Sequence, residues 1–191
     1  MNADATDRTQ KLAAMLRTVA SRAADRSGGG VALVFATQEG SLNDIRLRAA
    51  SGFAVPDDAR TMAQVVLPRV RDILEGGDLA ELEVTPELGE RAAAGGLIHP
   101  LSTDGHLHGA LVVASPSPLS LGTREILAVL AEALCAQLDH FRVESECERL
   151  QIQLLERSDP IEDRSDEVLK LSEALFAQDI ELLRSNEKLG K

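Results

Sequence analysis

The 191-residue sequence has no Trp, no Tyr and only four Phe, so aromatic residues make up 2% of it. A chain so poor in rings must build its interior from Leu, Val, Ile and Ala. It is also poorly equipped to stack nucleic-acid bases or to line a large planar cofactor. Basic residues are short as well: 20 Lys and Arg stand against 31 Asp and Glu, a formal net charge of −11. That balance repels phosphate backbones and anionic lipid surfaces, so neither nucleic acid nor membrane is expected as a partner. No apolar run of about 18 residues occurs, and the opening MNADATDRTQ lacks the regions of a signal peptide. A cytoplasmic location is expected. Cys135 and Cys147 fall on one helix, whose rise separates them by roughly 18 Å, beyond the ~7 Å reach of a disulfide. Both are expected as free thiols. No pairing of nucleophile and base, no phosphate loop and no carboxylate pair in a recognisable setting stands out, so no catalytic residue is named and the chain is not expected to be an enzyme.

What is present is a 44% hydrophobic chain, enough for one domain with a core plus an extended part. Residues 1–8 read as a disordered polar leader. TQKLAAMLRTVASRAADR then places Leu12, Leu16, Val19 and Ala23 at helical spacing, and Gly28 to Gly30 end that helix. VALVFATQ and IRLRAASGF, joined by the polar EGSLND, form a strand hairpin. TMAQVVLPRVRDILEGG is helical, with Pro68 predicting a kink or two short helices. Asp78 to Gly95 is a variable loop region with a short alternation at LAELEV and a possible helix at PELGERAAA. A second hairpin follows, and a long helix starts near Ser120 or Thr123. Tight turns between strands imply an antiparallel sheet, and helices at both ends imply an α+β sandwich.

The second hairpin, GLIHPLSTDGHLHGALVVASP, gathers His99, His106 and His108 around one turn, and its register decides whether they meet. With Asp104 and Gly105 as a two-residue turn, Leu101 faces His108 and the three histidines share a face. With a type I turn at Thr103 and Asp104 and a bulge at Gly105, Ser102 pairs with His106 and Leu101 with Leu107. The second register gathers Leu97, Leu101, Leu107, Leu111 and Val113 on one face and separates His99 from the other two. It is the expected one, because a one-residue slip would turn the leucines out. No Cys or acidic cluster lies nearby to complete a ligand set, so no metal site is expected.

The stretch from Gly96 to His140 resembles the C-terminal half of a GAF domain: a strand ending in Pro100-Leu101, a polar turn with Gly105, a strand opening on Gly109 and Leu111, and a Leu/Ala-rich helix from Thr123. VALVFATQEGSLNDIRLRAASGF is similar to that family's first hairpin. The likeness covers roughly Thr9 to Phe141, so residues 9–142 are expected to form a GAF-like α+β domain, an antiparallel sheet flanked by N- and C-terminal helices. The resemblance implies a sensory and dimerising role in a signalling protein. Some members of the family bind cyclic nucleotides, haem or bilins. Here the Asn-Lys-Phe-Asp-Glu pattern of cyclic-nucleotide binders is missing, and both cysteines sit on the C-terminal helix rather than near a bilin pocket. No cofactor is expected; His99 is the one residue that could face a ligand.

The helix from Thr123 onward is apolar on two sides. Leu127, Leu130, Leu134, Leu138 and Phe141 make a stripe for the domain's own core. A second stripe, Ile126, Val129, Ala133, Ala136, His140, Val143, Cys147, Leu150 and Leu154, alternates three- and four-residue steps, which is the a/d spacing of a coiled coil. The expected partner is the same helix of a second chain, giving a homodimer. The alternative is packing back on the chain's own domain. Residues 143–191 continue the a positions through Ile161, Val168, Leu175, Leu182 and Leu189, with polar Arg157, Arg164, Gln178 and Ser185 at d, which suits an adjustable connector. Ser158, Asp159 and Pro160 predict a break, with Asp159 capping a new helix that opens on Pro160. The ending LFAQDIELLRSNEKLGK resembles connector helices that lead into the phosphotransfer helices of sensor histidine kinases. The sequence is therefore expected to be a segment of a longer protein with an output domain. The rival expectation is a ligand-free scaffold that binds another protein.

Overall fold

Strand β1 (Val31–Ala36) reads VALVFA and is buried at every position, the composition of a strand covered on both faces. It sits inside an antiparallel sheet between β2 (Arg46–Ser51) and β5 (His106–Ala114), and β4 (Gly96–Thr103) and β3 (Ala80–Leu82) extend the sheet beyond β5, giving the order β2-β1-β5-β4-β3. The computed structural model describes residues 2–37, 40–76, 79–82 and 94–189, with side chains described for 7–155 within those ranges and for 167–173, 175 and 178. The possible helix at PELGERAAA lies outside the described residues. Contacts divide the chain into two units, Met1–Arg142 and Val143–Lys191.

In the first unit, helix α2 (Pro56–Gly76) covers one face of the sheet, and helix α1 (Asn2–Arg26) with the first turns of helix α3 (Leu121–Leu189) covers the other. Val31, Leu33 and Phe35 point to the α2 side, where Val66, Val70 and Ile73 meet them. Ala32 and Val34 point to the other side, against Leu16 and Ala20 of α1 and Leu127 and Leu134 of α3. The first unit is thus an α+β sandwich with helices on both faces, as the order of elements implies. Ser120 starts α3, its side-chain oxygen accepting from Thr123 N at 3.2 Å, which satisfies one of the helix's open N–H groups.

Three local expectations are corrected. Helix α1 begins at Asn2, so residues 2–8 are helical rather than a disordered leader. Pro68 does not divide the second helix into two short ones: α2 is one helix from Pro56 to Gly76. The carbonyl that Pro68 leaves without a partner belongs to Gln64, and both residues are exposed. Water can therefore take the lost bond while the buried face holds the helix. Likewise α3 is helical through Ser158, Asp159 and Pro160, where a break is expected. The lost hydrogen bond there is the one to Glu156 O, and the heptad phase is the same on both sides, so the apolar positions Leu154, Ile161 and Val168 need no interruption to stay aligned.

The register of the β4–β5 hairpin also differs from the expected one. Asp104 (φ 48) and Gly105 (φ 81) are both left-handed, and Thr103 pairs with His106 and Ser102 with Leu107. This is a two-residue turn of the primed kind that Asp-Gly favours. The pairing then shifts between Leu101 and Ser102, so that Leu101 faces Gly109, His99 faces Leu111 and Leu97 faces Val113. His108 is the extra residue of a β-bulge. The bulge reconciles the turn with the leucines: Leu97, Leu101, Leu111 and Val113 stay on the α1/α3 side, while Leu107 packs on the α2 side. Thr37 secures the bulge, its N–H donating to His108 O at 2.9 Å and its hydroxyl to Leu107 O at 3.2 Å.

Gly109, next to the bulge, has φ 151 and lies so close to β1 that a Cβ would collide with Phe35 O and stand 2.8 Å from Ala36 Cα. Gly109→Ala is expected to cost about 3 kcal/mol or more. Gly122→Ala, in the first turn of α3 with nothing within 4 Å of the added carbon, should stabilise by up to about 1 kcal/mol. Urea unfolding midpoints check both, and equal midpoints for the two variants would contradict the close approach of β5 to β1.

Candidate functional site

Two features carry polar or unpartnered chemistry. The first is the cluster under the hairpin. Because the turn has two residues, His99, His106 and His108 share the α1/α3 side of the sheet, contrary to the expected separation of His99. His106 is exposed at the tip, opposite Thr103, whose hydroxyl lies 2.9 Å from the buried Cys135 Sγ of α3. His99 and His108 are buried, at 7% and 6% exposure, and the Nε2 of each lacks a hydrogen-bond partner. His108 Nε2 stands 3.5 Å from Asp139 Oδ1 of α3, an oxygen that also accepts from Arg142. Burial holds His99 below the ordinary value of 6.5. Burial also pushes His108 down; Asp139 opposes that, and Arg142 and His106 add to it.

Among the described residues, no group of three or more His, Cys, Asp or Glu is placed to hold a metal ion. His99, the residue singled out as able to face a ligand, instead stands within the packed layer beneath α1 and α3. An open cleft of about 360 Å³ lies elsewhere, at the outer edge of the sheet. Leu47, Ala50 and Phe53 line it together with Pro56, Ala59 and Arg60 of α2. Sequence reasoning identified neither this cleft nor the meeting of His108 with Asp139 and Arg142, since the pairing depends on a bulge that no single residue announces.

The second feature is the outer face of α3. Within the first unit Leu127, Leu134 and Leu138 are buried, and Leu130 packs against them. On the opposite side Ile126, Val129, Ala133, Ala136 and His140 are exposed, Val129 at 63%. In the second unit Val143, Cys147, Leu150 and Leu154 are exposed in turn, and Leu154 reaches 66%. Val168, Leu171 and Leu175 are exposed further along. In each unit the described apolar residues of this face are exposed. No described helix is long and apolar enough to cross a membrane.

No family model matches the sequence. No curated protein matches it either. Solved structures do. The second GAF domain of DevS from Mycobacterium smegmatis superposes with a TM-score of 0.51 at 19% identity, covering 73% of this chain and 99% of that one. The GAF domain of a phosphoenolpyruvate-protein phosphotransferase from Coxiella burnetii gives 0.52 at 18% identity, over 74% and 94%. Residues 122 to 287 of a methyl-accepting chemotaxis protein give 0.51 at 14% identity, over 72% and 96%. The fold is that of GAF domains.

His99 provides a direct check on this geometry. The folded protein binds a proton at His99 less readily than the unfolded chain does, so its contribution is whole above pH 6.5 and declines as the pH falls below that value. His99→Leu removes a buried, unpartnered nitrogen. It should raise stability by about 1 to 2 kcal/mol and flatten the acid side of the stability curve, read by urea titrations at several pH values. A destabilised variant with an unchanged acid slope would place His99 elsewhere.

Proposed function

We propose that the chain is the sensory and dimerisation module of a signal-transduction protein, with the phosphotransfer helices of a sensor histidine kinase as its output. The observation that carries this reading is the double-sided α3: one side is spent on the domain's own core, and the other displays an apolar stripe at heptad spacing. Isolated exposed leucines are ordinary on a protein surface, whereas a continuous apolar line on one helix face implies a partner. The repeat of three and four residues suits a second, identical helix. The GAF fold supports the signalling part, since proteins with this fold include a chemotaxis protein. In this reading the chain performs no chemistry itself, and a stimulus alters the packing of the paired helices, which pass the change onward.

A second reading, a ligand-free scaffold that holds partner proteins, draws on the α2 side of the sheet. There Phe35, Ile98, Val66, Val70 and Ile73 fill the interior with side chains. The two readings part at the output, and a phosphotransfer His box encoded downstream of Lys191 would favour the first.

Light scattering at micromolar concentration should return a dimer, and Val129→Arg should weaken it at least about tenfold by placing two like charges in the seam. In a parallel pair the two Cys147 residues, at an a position, face each other across the symmetry axis. Cys135 is buried against Thr103. Mild oxidation should therefore join chains through Cys147 and leave Cys135 unreacted. A monomer throughout that range, or cross-linking through Cys135, would remove the seam from this helix face.

A further inference from the structure

Strand β2 ends the sheet, and among the described residues no strand pairs with its outer edge. In an antiparallel sheet, alternate residues of such a strand turn their N–H and C=O groups away from the neighbouring strand. The open cleft of about 360 Å³ lies along β2. Five consecutive residues, Leu47 to Ser51, line it, so it follows the strand over roughly 16 Å rather than meeting it at one point. Its other wall is the turn at Phe53 and Ala54 with the first turns of α2.

This edge is also bulged. Ala49 pairs with Val34 and Leu47 with Phe35, which leaves Arg48 as the extra residue. The bulge puts Leu47 and Ala50 on the α2 side and Ala49 on the α1/α3 side, an arrangement that strict alternation does not allow. Arg48 is exposed and has no ion-pair partner among the described residues. Arg60 donates to Asp57 Oδ1 at 3.1 Å, but both side chains are largely exposed, so that pair holds the guanidinium weakly. Arg48 and Arg60 are the charged residues of the cleft, and among the described residues no carboxylate lines it.

We propose that the outer edge of β2 receives an extended acidic segment of a partner protein, which adds a sixth strand to the five-stranded sheet and brings its carboxylates to Arg48 and Arg60.

Backbone, floor and charge together select this occupant. The outward N–H and C=O groups of an edge strand offer main-chain bonds in register, which a compact small molecule would leave unused. Leu47, Ala50 and Phe53 are only partly buried and form an apolar floor for the side chains on one face of the added strand. A second copy of this chain is a poor occupant, because antiparallel pairing through β2 would set the two Arg48 bulges close together. An acidic strand meets no such repulsion, and a guanidinium takes a carboxylate through two parallel bonds. The net charge of −11 opposes a long polyanion, so the occupant is a short segment and not a nucleic acid. The site uses no residue of α3 and does not depend on the dimer reading.

A capped, fluorescently tagged hexapeptide of alternating Glu and Val tests the site on the full chain. Anisotropy should show saturable binding below about 1 mM. Arg48→Glu should weaken it at least about tenfold, and a Lys-Val peptide should bind more weakly by a similar factor. Hydrogen–deuterium exchange should show the peptide protecting residues 46–51 and leaving 80–82, at the opposite edge of the sheet, unchanged. In an extended peptide the Glu amides form one edge and the Val amides the other. N-methylation of the Glu amides in one peptide and of the Val amides in another should therefore cost at least one of the two its binding. The proposal is overturned by no binding of the Glu-Val peptide up to that concentration, by equal binding of the Lys-Val peptide, or by undiminished binding to Arg48→Glu. Full binding of both methylated peptides, or protection at 80–82 in place of 46–51, would also overturn it. Should Arg48→Glu fail to fold, Arg60→Glu near the exposed start of α2 decides, since undiminished binding there has the same consequence. Light scattering reads the dimer separately, so failure of that reading and failure of this one are distinguishable.

Discussion

A sheet buried on both faces leaves no room for error in which way each side chain points. In β1 and β5 nearly every residue lies in one of two apolar layers, so a slip of one position would exchange the two cores. In the β4–β5 hairpin this constraint meets a second one, the strong preference of Asp104-Gly105 for a two-residue turn. Carried outward unaltered, that turn would set Leu101 against His108. Inserting His108 as a bulge moves the register by one and returns Leu101, Leu111 and Val113 to the layer under α1 and α3. The close approach of Gly109 to Phe35 and Ala36, the anchoring by Thr37 and the burial of His108 all follow from that single extra residue.

The scarcity of aromatic residues shapes both layers. Leu, Val, Ile and Ala fill them, and small residues such as Ala20, Ala23 and Ala131 bring α1 and α3 close to the sheet. Tight aliphatic packing gives a buried polar atom few partners, and so the imidazoles of His99 and His108 keep nitrogens without hydrogen bonds. Their cost is a stability that falls in acid, because burial makes both rings harder to protonate in the folded chain than in the unfolded one.

Helix α3 is apolar on two sides. Its inner side is committed to the sheet by Leu127, Leu134 and Leu138, and its outer side remains apolar. The structure places the Asp139–Arg142 pair between these sides, at the level where the first unit ends. A helix held by its inner face and read by its outer face suits the transmission of small changes in packing, which is the proposed use of this GAF-type fold.

Much of the architecture was legible in residue order. The short apolar runs VALVFA and GALVVA marked strands, the turn-bearing segments implied an antiparallel sheet, and the two stripes of α3 were separable by spacing alone, because strand and helix periods act over a few residues. Proline was the weaker guide: Pro68 and Pro160 both lie within helices, since the loss of one hydrogen bond is local and the surrounding turns outweigh it. The register of the second hairpin could not be chosen from the chain, as two turns competed and the winning arrangement joined one of them to a bulge. The contact of His108 with Asp139 and Arg142 was beyond sequence reasoning for the same reason. It exists only because packing on both sides of the sheet forces an extra residue into β5, and the direction that residue takes is decided by the layers around it.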